Sequence, residues 1–427
     1  MTSLAPDTPP AALPLTDLFR VFGRIGVLSF GGPAAQIALM HKELVEDRPW
    51  LTERQYLNAL SFCMLLPGPE AMQLATYAGW RLRGTRGGLI AGLLFVIPGA
   101  AVILALASLY AAYGNVPWVT ALFLGIKATV IVIVLQALLK VSAKALKGAV
   151  PVALAAAAFV AIFVFQVPFP LIIATAGLIG AVILRGSAAA APPVAVSGAD
   201  TLRTIALWGA IWLVPLAALW ALVPGLLTDV AVFFSTLAVV TFGGAYAVLA
   251  YMVQEVVGGF GWLTTGQMMD ALGLAETTPG PLILVTQFVG FLAGAQQGGW
   301  WLGLAAALVT LWVTFTPCFL WIFAGAPYVE WIATRPRLTG ALKAITAAVV
   351  GVIANLSVWF ALNVWFAEVA RNEIGLWMPE VTSFSPVALI LSALAAVLLI
   401  WRKWDLLLVL PVMGLAGILA QSVTTGI

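Results

Sequence analysis

Two clusters of glycine and proline carry the chemistry open to this chain, and each is written twice. Phe30-Gly31-Gly32 and Pro67-Gly68-Pro69 recur as Phe242-Gly243-Gly244 and Pro279-Gly280-Pro281 at a constant offset of 212 residues. Each cluster interrupts an apolar segment, because glycine frees the backbone while proline removes an amide donor and strains the preceding turn. A helix restarting after such a break points unpaired amides and its positive dipole end at whatever fills the gap. Restarts after Gly32, Pro69, Gly244 and Pro281 would bring four such ends together, which makes an anion site. Gly-Gly also suits close helix packing and Pro-Gly-Pro a simple kink; repetition in register favours the site.

Ionisable side chains within the apolar segments are few. Lys127 and Lys343 lie in similar settings, Gly125-Ile126-Lys127-Ala128 and Ala341-Leu342-Lys343-Ala344. A lysine at membrane depth marks a substrate path or a paired charge, although Lys343 is close enough to Arg335 and Arg337 to snorkel. Glu43 and Glu255 are the duplicated acids, roughly three helical turns past the Gly-Gly breaks. They read either as reversible proton carriers or as interfacial carboxylates, Glu43 beside Lys42. His41 and Lys42 face Val253 and Gln254 in the second copy, so an access path through them belongs to one copy only. Gln73 and Gln287 follow the Pro-Gly-Pro breaks and can donate to a substrate or between helices. Glu70 and Glu276 flank the same breaks without aligning. The chain has one histidine, and Cys63 and Cys318 sit in apolar runs of different halves. No metal set, cofactor or disulfide is expected from these.

The elements that must hold these residues belong in a bilayer, since 63% of the 427 residues are hydrophobic and only 9% charged. Between Phe30 and Pro69, 17 of 40 positions match the second copy, among them Trp50-Leu51-Thr52 with Trp262-Leu263-Thr264. Thr52 with Gln55 forms a capping-box signal, so a new helix is expected from Glu53. Residues 1–14 are expected to be a disordered cytoplasmic tail, 15–184 a first membrane repeat and 185–201 a cytoplasmic linker. Residues 202–222 would be an extra span and 229–427 the second repeat. Loop charge sets orientation. Arg81, Arg83, Arg86, Lys140, Lys144, Lys147, Arg185 and Arg203 mark one side. The second copy has uncharged Ala295-Gln296-Gln297 in the matching turn and places Arg335 and Arg337 where the first copy has no charge. The fold expected is an all-α polytopic membrane protein with about 13 transmembrane segments. It consists of two inverted six-span repeats with broken helices, joined by one extra span that inverts the second. The N-terminus would be cytoplasmic and the C-terminus periplasmic. Tryptophans such as Trp118, Trp208, Trp300-Trp301, Trp401 and Trp404 read as interface anchors. Dispersed basic residues argue against nucleic acid, and the absence of a Walker motif against a nucleotide.

The paired motifs, with the turn Arg48-Pro49-Trp50-Leu51, resemble the chromate ion transporter family in its long, fused form. The resemblance covers nearly the whole chain after residue 15. It implies proton-motive-force-driven export of chromate across the bacterial inner membrane, conferring chromate resistance, with sulfate as a close analogue. Chromate or sulfate and the lipid bilayer are the partners expected, and a homodimer is left open. The second copy has Gly259-Phe260-Gly261 before Trp262, without the basic residue of the motif. A transporter or channel for another oxyanion, and a membrane-embedded enzyme, are the alternatives.

Overall fold

A computed structural model describes residues 13–30, 32–184, 198–242, 245–329, 335–372 and 376–425. Gly31, Gly243 and Gly244, nearly all of the tail, and most of the linker lie outside the described residues.

Each copy opens with two interrupted helices. In the first, α1 (Leu15–Leu28) ends at Ser29, α2 (Gly32–His41) runs into a π turn (Lys42–Glu46), and α3 (Glu53–Cys63) stops before Pro67. Helix α4 (Glu70–Tyr113) then restarts beyond Pro69. In the second copy, after α8 (Gly198–Leu222), the series is α9 (Leu226–Val240), α10 (Ala245–Val253), a π turn (Gln254–Gly259), α11 (Thr265–Thr277) and α12 (Val285–Gly325). Local sequence dictates these boundaries twice over. Thr52 with Gln55, and Thr264 with Gln267, complete full capping boxes, each threonine hydroxyl accepting from the glutamine N–H while the glutamine side chain accepts from the threonine N–H.

Helices α4 and α12 are each two helices folded back at a turn. Arg83 (φ −145, ψ 30) and Gly84 (φ 59, ψ −156) make the first turn, and Gly298 (φ −148, ψ 23) and Gly299 (φ 76, ψ −173) the second. The positive φ requires glycine at the second position of each turn. Beyond the first turn, Gly79 and Gly87 meet backbone to backbone; a Cβ on Gly79 would stand 2.3 Å from the Gly87 carbonyl oxygen. In a straight helix these positions would lie about 12 Å apart.

The remaining elements are α5 (Pro117–Ala145), α6 (Ala149–Phe163), α7 (Phe169–Ile183), α13 (Pro336–Trp365), α14 (Pro386–Ala396) and α15 (Leu406–Thr425). Among the described residues, six helices are long and apolar enough to cross a membrane. Others are shorter: α6 and α7 have 15 residues each, about 22 Å against about 30 Å of hydrocarbon. Helix α13 packs against α5, α6 and α7, α15 lies along α5, and α1 lies along α4 as α9 lies along α12. One apolar cluster therefore runs through both copies, from Leu18 to Leu410.

The all-α fold holds, with one small hairpin added, and one expectation needs correction. Strands β1 (Val369–Arg371) and β2 (Trp377–Pro379) pair antiparallel in the loop between α13 and α14. Asn372 closes this hairpin, its N–H donating to the Leu376 carbonyl and its Oδ1 accepting from the Leu376 N–H, while the Arg371 guanidinium covers the Trp377 ring at 4.1 Å. Trp208 is not an interface anchor. It is buried, packed on Phe319 and Phe323 with ring centroids at 5.6 and 5.1 Å, because it lies one turn from Trp212 on the face of α8 that meets α12. Trp118, Trp301 and Trp401 are exposed as expected.

Candidate anion site at the crossed breaks

The breaks of the two copies bond to each other. Ser29 (φ −78, ψ 69) and Thr241 (φ −75, ψ 81) end α1 and α9 in the same inverse γ-turn geometry, with the N–H of Phe30 on the Leu28 carbonyl and that of Phe242 on the Val240 carbonyl. Each hydroxyl turns back onto its own helix, Ser29 to the Ile25 carbonyl and Thr241 to the Leu237 carbonyl. The carbonyls of Ser29 and Thr241 each accept from the other copy. The Gly68 N–H donates to the Thr241 carbonyl at 2.9 Å, and the Gly280 N–H donates to the Ser29 carbonyl at 2.8 Å. Gly68 has φ +116 and Gly280 φ +88, and a Cβ on Gly68 would sit 2.8 Å from Gln73 Nε2 and 3.0 Å from Cys318 Sγ.

A small cavity lies at this crossing, lined by Pro33, Gln36, Pro69, Glu70, Ala71, Pro281, Leu282 and Ile283. Three of the four expected helix starts reach it: α2 through Pro33, α4 through Glu70, and the short 3₁₀ turn Leu282–Leu284 that leads into α12. The fourth, α10, begins beside residues outside the description. Pro33, Pro69 and Pro281 carry no N–H, so the donors open to an anion here are the first-turn amides of Glu70, Ala71, Leu282 and Ile283, set in an otherwise largely apolar wall. The cavity is small, with room for about one water.

The expected side chains divide into two groups. Gln73 Nε2 donates to the Pro67 carbonyl at 2.6 Å and so braces the break, while Gln287 Nε2 donates to the Ala100 carbonyl at 3.1 Å. The rest stand away from the cavity lining. Lys127 Nζ lies 3.0 Å from Asp270 Oδ1 on α11, and the Tyr110 hydroxyl donates to Asp270 Oδ2 at 2.7 Å. Lys343 is exposed on α13. Glu43 is buried and holds two arginines, Arg48 by a short hydrogen bond and Arg24 at 3.5 Å, rather than its neighbour Lys42. His41 bridges Glu46 and Glu53 at 3.1 and 2.6 Å, its ring edge-on to Tyr56, and Lys42 is exposed. Glu255 is half-buried on its π turn.

Gln36 and Glu70 are the lining side chains that the sequence does not single out as binding residues. Gln36 is 1% exposed, and its Nε2 donates to the Gly280 carbonyl at 2.7 Å and the Ser29 carbonyl at 3.3 Å. A polar residue in the middle of the otherwise apolar stretch Pro33–Met40, opposite Val248 in the second copy, is the signal that could have marked it.

No solved structure matches the chain. The chromate transporter family matches residues 16–181 and 228–418, both repeats in turn. A chromate transport protein of Pseudomonas aeruginosa is 32% identical over 96% of this chain and 92% of its own length. A probable chromate transport protein of Synechococcus elongatus is 30% identical, covering 92% of this chain and 97% of the relative. One from Cupriavidus metallidurans is 30% identical over 80% and 81%. With its apolar helices, its duplicated breaks and a match across both repeats, this multi-pass membrane protein belongs to the chromate transporter family.

Proposed function

We propose that the chain is a bacterial inner-membrane secondary transporter that exports chromate using the proton-motive force and so confers chromate resistance. The observation that carries this reading is the reciprocal crossing of the duplicated breaks, Gly68 to Thr241 and Gly280 to Ser29, in a chain that the chromate transporter family matches through both repeats. Chromate is a tetrahedral dianion, and amides at the starts of interrupted helices are donors that suit it. The relatives named above for chromate transport support the choice of substrate. Sulfate offers the same shape and charge to the same amides.

Space for about one water cannot admit such an ion, so the site must widen to load it. Inverted repeats with interrupted helices suit alternating access better than a standing channel. Reciprocal bonding, Gly68 to Thr241 and Gly280 to Ser29, is what two repeats related by a two-fold axis would make, and supports the inverted arrangement joined by α8. In this reading α1 starts from the cytoplasm, about 13 crossings follow, and α15 ends in the periplasm. Lys127, paired with Asp270, then ties α5 to α11 beside the path, and Lys343 is an interfacial cation.

Flux of labelled chromate and sulfate into inverted vesicles, with and without a proton gradient, tests the reading. Gradient-dependent chromate accumulation is expected. Flux indifferent to the gradient would turn the assignment towards a channel, and sulfate flux without chromate flux would change the substrate. Cysteines placed at Arg83 and Gln296 should label from opposite sides of the membrane; labelling from the same side removes the inversion.

A further inference from the structure

The second half of α4, from the Arg83–Gly84 turn to Tyr113, measures where the second copy's Pro-Gly-Pro break lies. At its middle, Gly99 meets the Pro279 carbonyl backbone to backbone, and a Cβ on Gly280 would stand 3.3 Å from Gly99 Cα. Ser108 and Tyr110 are nine and eleven residues further along, about 14 and 16 Å towards the Tyr113 end. Tyr110 donates to Asp270, which precedes the break on α11, and its ring packs on Phe288 beyond the break with centroids at 5.3 Å. Trp300 Nε1, further on still, donates to Ser108 Oγ at 3.2 Å. Residues before and after the break therefore stand on one side of Gly99. A segment that crossed at its break would carry Asp270 to the other side.

The first copy turns back towards the opposite end. The tip at Gly68 lies against Cys318 in the second half of α12, and further along that helix a Cβ on Gly325 would stand 2.9 Å from Phe62 Cζ of α3. Phe62 also packs on Tyr77 of α4, with centroids 6.4 Å apart, so both arms lie beyond Cys318. This end of α12 is the Arg83 end of α4, because a Cβ on Gly88 would stand 3.0 Å from Phe323 Cζ and 3.1 Å from the Thr76 carbonyl oxygen. The other two pairs fold back likewise. Arg24 of α1 lies 3.5 Å from Glu43 past α2, and Phe233 of α9 packs on Tyr251 of α10 with centroids at 5.5 Å. Tyr56 of α3 donates to the Ile37 carbonyl of α2, and Tyr246 of α10 to Glu276 of α11, which keeps successive pairs on one side.

We propose that each interrupted pair is a re-entrant hairpin. In the first copy α1 with α2, and α3 with the first half of α4, enter from the face of Arg83; in the second, α9 with α10, and α11 with the first half of α12, enter from the face of Gln296. The first copy then forms the mouth on one face of the membrane and the second copy the mouth on the other, with the reciprocal crossing as the partition between them. Irregular backbone at that depth is tolerated where protein encloses it, and Ser29, Thr241 and Thr278 are buried. Loop charge supports the hairpins independently. If each pair crossed, Lys42, Arg48 and Arg54 would fall on the face opposite Arg81, Arg83 and Arg86. As hairpins they share that face, and the matching second-copy stretch 254–266, which has no Lys or Arg, falls on the other. Nine full crossings remain, α5, α6, α7, α8, α13, α14, α15 and the second halves of α4 and α12, in place of the about 13 that crossing breaks would give. Both numbers are odd, so the termini keep their sides. The proposal rests on the inverted arrangement of the two copies.

The test is labelling of single cysteines by a membrane-impermeant maleimide, in intact cells and in inverted vesicles. The full-length chain is used with its two buried cysteines, Cys63 and Cys318, replaced by alanine. Asp47→Cys, in the exposed turn between α2 and α3, should label from the same side as Arg83→Cys. Gly258→Cys, exposed in the matching turn, should label from the same side as Gln296→Cys. Arg54→Cys, exposed at the start of α3, repeats the first reading should Asp47→Cys fail to fold. Labelling of Asp47→Cys from the side of Gln296→Cys, or of Gly258→Cys from the side of Arg83→Cys, means that the breaks cross; it overturns the proposal and leaves the inversion intact. Labelling of Arg83→Cys and Gln296→Cys from one side removes the inversion itself, and with it entry from opposite faces.

Discussion

The two copies keep one backbone and carry different side chains. Both have the inverse γ-turn at Ser29 or Thr241, the π turn starting at Lys42 or Gln254, the capping box, and the fold-back at Gly84 or Gly299. The side chains at the same register have parted. Glu43 sits between Arg24 and Arg48, whereas Glu255 has Thr236 and Phe260 at the corresponding positions, and Phe260 stacks on Trp262 at 4.2 Å instead. Tyr246 and Glu276 correspond to Ala34 and Met64, and Gln36 to Val248. Lys127 finds Asp270 across the copy boundary; the mirrored partner for Lys343 would be Asn58, which has no charge, and Lys343 stays exposed. Duplicated backbone makes the cavity, and unshared side chains make its two sides unlike. A symmetric proton pathway through Glu43 and Glu255 is disfavoured by this difference, because only one of the two acids is held by paired bases.

The largest effect should come from breaking what the copies share. Gly68→Ala places a methyl against Gln73 at a φ that alanine resists, at about 1–3 kcal/mol of strain. Gly280→Ala strains the reciprocal site. Either variant should lower chromate flux at least about tenfold while the protein still inserts, and equal losses would show that the crossing works as a unit. Next comes the cross-copy pair. Asp270→Asn leaves Lys127 without its counter-charge and should lower stability in detergent by roughly 2 kcal/mol, since the lysine is partly exposed. Asn58→Asp, which supplies the second copy's acid to the first, should leave stability within about 0.5 kcal/mol. Gln36→Val gives the first copy the second copy's residue and removes two hydrogen bonds to the crossing. It should reduce flux severalfold, and Val248→Gln should not restore it. The smallest difference is between the duplicated acids. Glu43→Gln should lower stability by about 1 kcal/mol, because Arg24 is exposed and Arg48 partly so, and Glu255→Gln by less. Equal shifts would erase the contrast between the copies.

The breaks, the capping boxes and the turn at Arg83 were legible in the sequence because glycine, proline and cap residues act over a few neighbouring positions. Repetition made them stand out from the apolar background. The reciprocal bonds were not legible, since they join residues more than 170 positions apart through backbone atoms that every residue type carries. Gln36 and Glu70 stayed hidden for a related reason: which of several polar side chains lines the cavity depends on how the copies dock. Trp208 misled for the opposite reason. An apolar ring at the right depth suits a lipid headgroup region and an aromatic core equally well, and only α12 beside it decides.

At the crossing two main-chain bonds join the halves, one amide and one carbonyl from each, beside the bond from Gln36 Nε2 to the Gly280 carbonyl. Pulling the halves apart frees two donors and two acceptors at once inside a dry interior, so a half-open crossing gains little and loses the second clasp. A change that parted the breaks would have to satisfy both amides together.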